Sequence, residues 1–250
     1  MFIQNVAPGV HLIQHANVNC YLLEDLESGT DLTLVDAGLP GVWTELGRAI
    51  RELGRRPEDL KALVLTHAHF DHVGVARRLV ERLGLPVYGH ADERTLAAHP
   101  YRYAHENPRA LYPLRHPRAV PILTSMLFAG VLAVRGVDLS DELGTSDTVP
   151  VPGRPRVVFS PGHTFGHCAL HLPERDVLLT GDALVTLDPY TGETGPRIVA
   201  GAATADSDLA LRSLDALAQT GAGTVLTGHG QPWRDGIEDA VLEARRHGRA

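Results

Sequence analysis

The chain has few cysteines, and its apolar runs are short. Cys20 and Cys168 are the only cysteines in 250 residues, which excludes a disulfide framework and a C-x-x-C metal or redox motif. We expect both to be buried thiols in a reducing cytoplasm. The longest apolar run, residues 120–134, contains polar residues and is shorter than the roughly 20 residues that cross a bilayer. Residues 1–10 lack a charged start followed by a long apolar segment, so we expect neither a signal peptide nor a membrane segment.

Positive charge is also scarce. Lys61 is the only lysine, and 23 Lys and Arg stand against 30 Asp and Glu, for a formal net charge of −7. Because an acidic chain repels phosphate backbones, we expect no nucleic-acid partner. The hydrophobic fraction of 44% and the charged fraction of 21% are ordinary for a globular enzyme. We predict a single domain over residues 1–250, with a small molecule as its partner.

Short apolar strands alternate with amphipathic helices along most of the chain. The patterns predict strands at residues 10–14, 19–23, 32–35, 63–65, 86–88, 156–159, 168–172, 177–179 and 224–226. They predict helices at about residues 42–53, 73–83, 208–217 and 236–247. This interleaving predicts an α/β or α+β fold with a large sheet core.

Residues 94–147 interrupt the alternation. They contain five prolines, several aromatic residues and the apolar stretch 120–134, and we predict a helical insertion between the two halves. Its helically spaced apolar residues fit a helix packed on its own domain, a contact in a homodimer, or a cap over a cleft. If the segment caps a cleft, we expect Met126 and Phe128 to lie in an apolar wall that contacts the substrate.

The strongest chemical signal is His-x-His-x-Asp-His at residues 67–72, directly after a predicted strand. Imidazole and carboxylate are ligands that suit Zn²⁺, Fe or Mn²⁺. In an extended loop His67 and His69 point to one side, whereas Asp71 and His72 turn at the start of the next helix and can serve a second ion. The alternative is a chance cluster of solvated histidines.

Three further polar residues, His163, Asp182 and His229, also follow short apolar strands. Polar residues at strand ends are where open α/β sheets place their active sites. Taken alone, His163 would be a loop histidine and Asp182 a turn or N-cap residue.

In this order the motifs resemble the signature of the metallo-β-lactamase superfamily. Asp36 ends a strand, the motif at 67–72 follows, His163 lies in Pro-Gly-His-Thr-x-Gly-His, Asp182 in Gly-Asp and His229 in Gly-His-Gly. The resemblance spans about residues 10–230 and implies a four-layer αβ/βα sandwich with the metals at one edge.

The resemblance also implies two divalent metal ions, expected to be zinc, with iron or manganese as alternatives. One ion would take His67, His69 and His163, the other would take Asp71, His72 and His229, and Asp182 would bridge the two. Asp36 and His167 would orient these ligands without binding metal themselves.

Two adjacent metal ions can hold a bridging hydroxide at neutral pH, and Asp71 can orient it or accept its proton. Tyr190 either donates a hydrogen bond to a reacting oxygen or forms part of the pocket wall. An Asp at the bridging position is typical of glyoxalase II and lactonase types, whereas the glutathione-binding helical domain of glyoxalase II has no counterpart after His229. The resemblance therefore favours a small ester, lactone or thioester as substrate.

Three alternatives stay open at this point. The first is a mononuclear-iron oxidoreductase of the persulfide dioxygenase type, and the second is a β-lactamase-like amide hydrolase. The third is a binding protein without catalysis, which the full ligand set disfavours because unpaired buried His and Asp side chains are costly without a metal.

Overall fold

The strands form two main sheets in the computed structural model, which describes residues 1–27, 29–145 and 147–249. The first sheet contains, in spatial order, β1 (Phe2–Ala7), β2 (Val10–His15), β3 (Val18–Glu24), β4 (Leu32–Val35), β5 (Leu60–Val64), β6 (Val87–His90) and β7 (Asp141–Leu143). Its first four strands pair antiparallel. From β4 to β7 the pairing is parallel, so the carboxyl ends of β4 and β5 lie at the same edge.

The second sheet is smaller and has its own parallel pair. Its spatial order is β13 (Thr224–Thr227), β10 (Val177–Gly181), β9 (Cys168–Leu172) and β8 (Arg156–Phe159). β10 and β13 are parallel, whereas β9 is antiparallel to both β10 and β8. A separate antiparallel ribbon consists of β11 (Val185–Leu187) and β12 (Thr194–Arg197).

The longer helices cover the outer faces of these sheets. The α-helices are α1 (Trp43–Glu52), α2 (Ala76–Leu83), α3 (Arg94–Ala98), α4 (Tyr112–Arg115), α5 (Ala119–Phe128), α6 (Ser207–Ala218) and α7 (Ile237–His247). Short 3-10 turns lie at Pro40–Val42, Pro57–Asp59, Ala91–Glu93, Arg109–Leu111, Val131–Ala133 and Pro173–Arg175. Within the described ranges, every helix is too short or too polar to span a bilayer.

Alternating side chains on the strands divide the core into layers. Leu22 of β3 belongs to the buried cluster that includes α1 and α2, whereas its neighbour Leu23 shares a cluster with Leu170 of β9 in the other sheet. On β10, Leu178 shares a third cluster with Leu214 of α6. Each sheet therefore faces helices on one side and the other sheet on the opposite side. This order of helix, sheet, sheet and helix confirms the predicted four-layer α/β architecture.

The predicted helix at residues 73–83 begins later than its apolar pattern indicates. The amides of Gly74 and Val75 donate to the carbonyls of Gly38 and Ala37, so these residues are bound to the loop after β4. α2 consequently starts at Ala76. The expectation that Asp71 and His72 turn at the start of a helix is wrong, since both lie in the preceding loop.

The segment at residues 94–147 contains more than helices. It holds α3, α4 and α5, but its end forms β7, which pairs in parallel with β6. Two of the three residues of β7 are exposed, so the sequence there shows no apolar alternation. The strands β1, β11 and β12 were likewise not predicted. Within the apolar run 120–134, α5 ends at Phe128, and Gly130 then adopts a φ of 90°.

Gly74 generates a test of the loop that precedes α2. A Cβ at this position would lie 2.3 Å from the Gly38 carbonyl oxygen and 2.5 Å from Leu39 Cα, both backbone atoms. We expect Gly74→Ala to lower the free energy of unfolding by about 1–3 kcal/mol, as overpacking does. Urea denaturation measures the change.

The matched control is Gly47→Ala on α1, where the added Cβ would meet only the Arg51 guanidinium, at 3.5 Å. We expect this variant to gain about 0.5–1 kcal/mol, because alanine is the better residue inside a helix. Equal urea midpoints for the two variants would contradict the close approach at Gly74.

Candidate metal centre

Strands of both sheets end at one edge, and a buried polar residue follows each end. Asp36 follows β4 and His67 follows β5, while Asp182 follows β10 and His229 follows β13. All four side chains are at most 3% exposed. Parallel pairing within each sheet brings the strand ends together, and packing of the two sheets brings the pairs together. The strand-end residues His67, His163 and His229 all have Nε2 within 4.0 Å of Asp182 Oδ2, so the convergence that their pattern predicts is present.

The first cluster consists of His67, His69 and His163, which each offer a ligand atom within 4.8 Å of the others. Nε2 of His163 lies 2.9 Å from Nδ1 of His69. Burial lowers the pKa of His69 to about 4, and it holds the pKa values of His67 and His163 well below their ordinary range. All three rings are therefore neutral at pH 7, which is the form that binds metal.

The second cluster consists of Asp71, His72 and His229, again within 4.8 Å of one another. His229 Nε2 lies 3.4 Å from Asp71 Oδ2. Burial opposes protonation of both imidazoles, but the nearby carboxylates, Asp182 foremost, outweigh it. They raise the pKa of His72 to about 9 and that of His229 well above its ordinary range. The carboxylates at this cluster therefore strongly favour a positive charge beside them.

Asp182 lies between the two clusters. Its Oδ2 is 3.2 Å from His229 Nε2 and 3.5 Å from His163 Nε2, whereas its Oδ1 is 3.5 Å from His72 Nε2. Burial alone would raise the pKa of this carboxyl, but His229 and His72 hold it well below its ordinary range. The arrangement is that of an ionised carboxylate able to bridge two cations.

Several buried polar atoms in this region make no hydrogen bond to any described residue: Nε2 of His67, His69, His72 and His229, and Oδ1 of Asp182. Such atoms are expensive to bury unless a partner compensates them. A set of imidazole nitrogens and carboxylate oxygens suits Zn²⁺, Fe or Mn²⁺. The residues present therefore fit divalent metal ions.

Asp36 orients His72. Its Oδ1 accepts from the Thr66 amide at 2.8 Å, and its Oδ2 accepts from Thr66 Oγ1 at 2.8 Å and from His72 Nδ1 at 2.9 Å. Asp36 also forms a possible ligand cluster with His67 and His72. Its oxygens are engaged, however, and His72 directs its other nitrogen at Asp182. Asp36 thus fixes the ring that offers Nε2, as carboxylates behind metal-binding histidines do.

His167 holds the backbone next to the bridging position. Its Nε2 accepts from the Asp182 amide at 3.0 Å, so we infer that Nδ1 carries the proton and donates to Ser160 Oγ at 2.9 Å. Burial lowers the pKa of His167 to about 3, which keeps the ring neutral. With both nitrogens engaged, His167 has none left for a metal.

The other ring nitrogens are held by residues that the sequence did not single out. His229 Nδ1 donates to the Asn17 carbonyl at 2.7 Å, and His163 Nδ1 lies 3.3 Å from Thr204 Oγ1. Thr66 Oγ1 lies 3.0 Å from His67 Nδ1. Asn17 and Thr204 lie in loops far in sequence from the histidines that they contact. A threonine hydroxyl or a backbone carbonyl gives no recognisable signal in the sequence.

An open cavity of about 270 Å³ adjoins both clusters. Its lining combines His69, Asp71, His163, Asp182 and His229 with Phe70, Tyr103, Leu123, Met126, Leu127, Val131, Pro189, Tyr190, Val199 and Ala203. Two of the three residues expected to touch substrate, Met126 and Tyr190, are thus in the wall. Phe128 is not among the lining residues, and its side chain is 87% exposed. It lies on the side of α5 turned to solvent, which corrects its expected place in the wall.

Two tyrosines meet at one side of this cavity. The hydroxyl of Tyr103 lies 3.1 Å from that of Tyr190, and the Arg109 guanidinium stacks 4.0 Å from the centre of the Tyr103 ring. Burial raises the pKa values of both phenols, so both remain protonated at neutral pH. Tyr103 was not predicted, because nothing in the segment at 94–147 marks it as a partner of Tyr190.

Comparisons with known proteins agree with this geometry. A family model described as the metallo-beta-lactamase superfamily matches residues 15–229. The chain is 30% identical to the probable metallo-hydrolase YflN of Bacillus subtilis over 241 residues, which covers 90% of this chain and 85% of that protein.

Two solved structures are also similar to this chain. A metallo-beta-lactamase family protein from Thermus thermophilus, TTHA1429, is 30% identical, with a TM-score of 0.68 and coverage of 96% of this chain and 79% of that chain. TTHA1623, solved in a di-iron-bound form, is 27% identical, with a TM-score of 0.59 and coverage of 91% of this chain and 95% of that chain.

The role of Asp36 can be tested by Asp36→Asn. The amide keeps the size of the side chain but replaces one acceptor oxygen with a donor, so it cannot accept from Thr66 and His72 together. We expect zinc affinity to fall about 10–100-fold, as for other residues that orient metal ligands. Competition with a chromogenic chelator measures it. Asp215→Asn is the control, since the Asp215 side chain is 73% exposed on α6. An affinity for Asp36→Asn equal to that of the control would contradict the orienting role.

Proposed function

The chain belongs to the metallo-β-lactamase superfamily, and on this premise we propose that it hydrolyses a small, uncharged ester, lactone or thioester with two metal ions. That the protein is a metallo-hydrolase follows from its family and from the His and Asp clusters. The observation that carries the substrate class is the cavity, where five of the seven candidate metal-ligating side chains lie beside a wall of apolar residues and tyrosines.

The charge of the cavity wall favours a neutral substrate. Apart from the His and Asp side chains, the wall is apolar or phenolic, and no described lining residue is Lys or Arg. Arg109 stacks on Tyr103 and is not part of the lining. β-Lactam antibiotics and glutathione derivatives carry carboxylates, which enzymes commonly bind with a cationic side chain. The wall therefore supports a neutral ester, lactone or thioester over an anionic β-lactam or glutathione persulfide.

The number of candidate ligands supports two metal ions. His67, His69 and His163 form one cluster and Asp71, His72 and His229 the other, and Asp182 lies close to both. These seven side chains exceed the four ligands of one tetrahedral ion. We propose zinc, because neutral imidazole and carboxylate are its common ligands. Iron is the alternative, since the relative TTHA1623 was solved in a di-iron-bound form.

Bound metal ions would supply a water with a pKa near neutrality and a Lewis acid for the substrate carbonyl. The chain would supply the proton handling through Asp71, which lines the cavity and is 6% exposed. Burial favours the neutral acid, but the His229 imidazole, 3.4 Å away, and the nearby His72 outweigh it and lower the pKa of Asp71. Asp71 is therefore ionised at neutral pH and can orient a water molecule or accept its proton.

The tyrosine pair would bind the reacting oxygen. Tyr103 and Tyr190 share one hydrogen bond between their hydroxyls, and both phenols are protonated at neutral pH. Two hydroxyl protons and one shared bond leave one proton free to donate. We assign this donor, from either Tyr103 or Tyr190, to a substrate oxygen, because the Tyr103 ring centre lies 4.2 Å from that of the candidate ligand His69.

The decisive experiment combines metal analysis with activity assays on the same sample. We expect close to two metal ions per chain, and zinc-dependent hydrolysis of neutral esters, lactones or thioesters that stops on chelation and returns when zinc is added. If the protein holds one iron and consumes oxygen when a persulfide is supplied, it is instead a persulfide dioxygenase. Metal binding without turnover of any substrate tested would favour a binding protein.

Asp71→Asn tests the proton-handling role. We expect kcat to fall about 100-fold or more, the usual contribution of a general base, while KM changes little because the wall that binds substrate is intact. Elemental analysis of the same preparation must show unchanged metal content, since Asp71 is also a candidate ligand. A kcat within a few-fold of that of the unmodified enzyme, at equal metal content, would remove Asp71 from the reaction.

Met126 and Phe128 form a matched pair for the apolar wall. Both lie on α5, but Met126 is 4% exposed and lines the cavity, whereas Phe128 is 87% exposed and does not. Each buried methylene is worth about 0.8 kcal/mol, or roughly fourfold in binding. We therefore expect Met126→Ala to raise KM more for longer acyl chains than for acetyl esters, and Phe128→Ala to change neither. A loss that is independent of chain length in both variants would assign α5 to folding alone.

A further inference from the structure

Glu93 is a buried carboxylate that joins two loops of the metal centre. It ends the 3-10 turn Ala91–Glu93 after β6 and is 1% exposed. Its Oε2 accepts from the Ala68 amide at 2.8 Å, and its Oε1 accepts from the Gly166 amide at 3.0 Å. Each oxygen of the carboxylate thus holds the backbone of a different loop.

Both loops carry candidate metal ligands. Ala68 lies between His67 and His69 in the loop after β5, and Gly166 lies between His163 and His167 in the loop after β8. β5 belongs to the first sheet and β8 to the second. The Cys168 amide donates to the Thr66 carbonyl at 2.8 Å and joins the roots of the two loops, whereas Glu93 joins them beside the ligands themselves. Glu93 is a direct link between them.

We propose that Glu93 is a positioning residue that sets the spacing of the cluster His67, His69 and His163, and so the metal affinity of that cluster. The inference rests on the proposed metal centre. Binding by three histidines from two loops needs a fixed distance between the loops, such as the 2.9 Å between His163 Nε2 and His69 Nδ1. A carboxylate with both oxygens hydrogen-bonded to backbone amides is a short, strong link for this purpose.

The close seating of the second loop supports this role. A Cβ at Gly166 would lie 2.8 Å from Glu93 Oε1 and 3.0 Å from the Glu93 amide nitrogen. The loop therefore rests directly on Glu93, and only glycine allows this approach without displacement. A buried carboxylate is costly in itself, and here its two acceptor oxygens serve the two loops that carry the cluster.

The test replaces Glu93 by glutamine. Glutamine keeps the size but places an amide NH₂ against one of the two backbone N–H groups, which releases one loop. We expect Glu93→Gln to weaken zinc binding at least about tenfold, as loss of an outer partner of metal ligands does, measured by competition with a chromogenic chelator. We also expect an altered visible spectrum of the Co²⁺-loaded protein, because cobalt absorption reports the ligand geometry. The unfolding midpoint should drop more for zinc-loaded than for metal-free protein.

Asp188→Asn is the matched control. Asp188 is likewise a fully buried carboxylate, and it accepts from the amides of Tyr190 and Ala200 at 2.8 Å and 3.1 Å, but neither amide lies in a loop with candidate ligands. We expect its zinc affinity and cobalt spectrum to match those of the unmodified protein. A second variant, Gly166→Ala, keeps Glu93 and displaces the loop, so it should weaken zinc binding in the same direction even if Glu93→Gln does not fold.

The outcomes distinguish failure of the metal centre from failure of the role of Glu93. If the unmodified protein binds no zinc, cobalt or iron, both the metal centre and the role of Glu93 are overturned. If it binds metal and both Glu93→Gln and Gly166→Ala bind it equally well, only the role of Glu93 is overturned. Equal losses of unfolding midpoint with and without zinc, at unchanged zinc affinity, would likewise reduce Glu93 to a residue of the fold.

Discussion

The buried carboxylate of Asp182 is the element on which the geometry of the metal centre depends. It faces His72 from the first half of the chain and His163 and His229 from the second. An isolated carboxylate is very costly to bury, so cationic partners must compensate it, and imidazoles on both sides can supply these only by protonation or by binding metal. The parallel strand pairs, the hydrogen bond that the Asp182 amide donates to His167 Nε2 and the ring orientation by Asp36 all serve to place this one anion between two groups of candidate ligands.

The parts of this centre that sequence analysis could predict are those with local signals. The motif at residues 67–72 is contiguous, and His163, Asp182 and His229 each closely follow a short apolar strand. Because strand ends in stacked sheets meet at an edge, a local pattern was enough to predict a shared site. The α/β class was predictable for a similar reason, since alternating strands and helices leave few ways to bury their apolar faces, whereas the four-layer order was implied only by the resemblance to the superfamily.

The parts that could not be predicted depend on contacts between distant residues. Glu93 is separated from Ala68 by 25 positions and from Gly166 by 73, and Tyr103 from Tyr190 by 87. No periodicity marks such pairs, because each consists of one side chain that meets another loop. The start of α2 was placed too early for the same reason, since backbone bonds to the loop after β4 override the apolar pattern. β7 was not predicted because it is a strand only by virtue of its pairing with β6. Two of its three residues are exposed, so its sequence shows no apolar alternation.

The metal ligands and the cavity wall come from different parts of the chain. The ligands follow strand ends that the sheet core holds rigidly, whereas several residues of the wall, among them Tyr103, Leu123 and Met126, come from the segment at 94–147. Under the proposed function, chemistry and substrate choice would be carried largely by separate segments, as is common where loops on a fixed scaffold set specificity. A related chain could keep all seven candidate ligand positions and still act on a charged substrate if one wall residue were Lys or Arg. For this chain the informative feature is therefore the wall, where apolar side chains and two protonated tyrosines favour a neutral acyl compound.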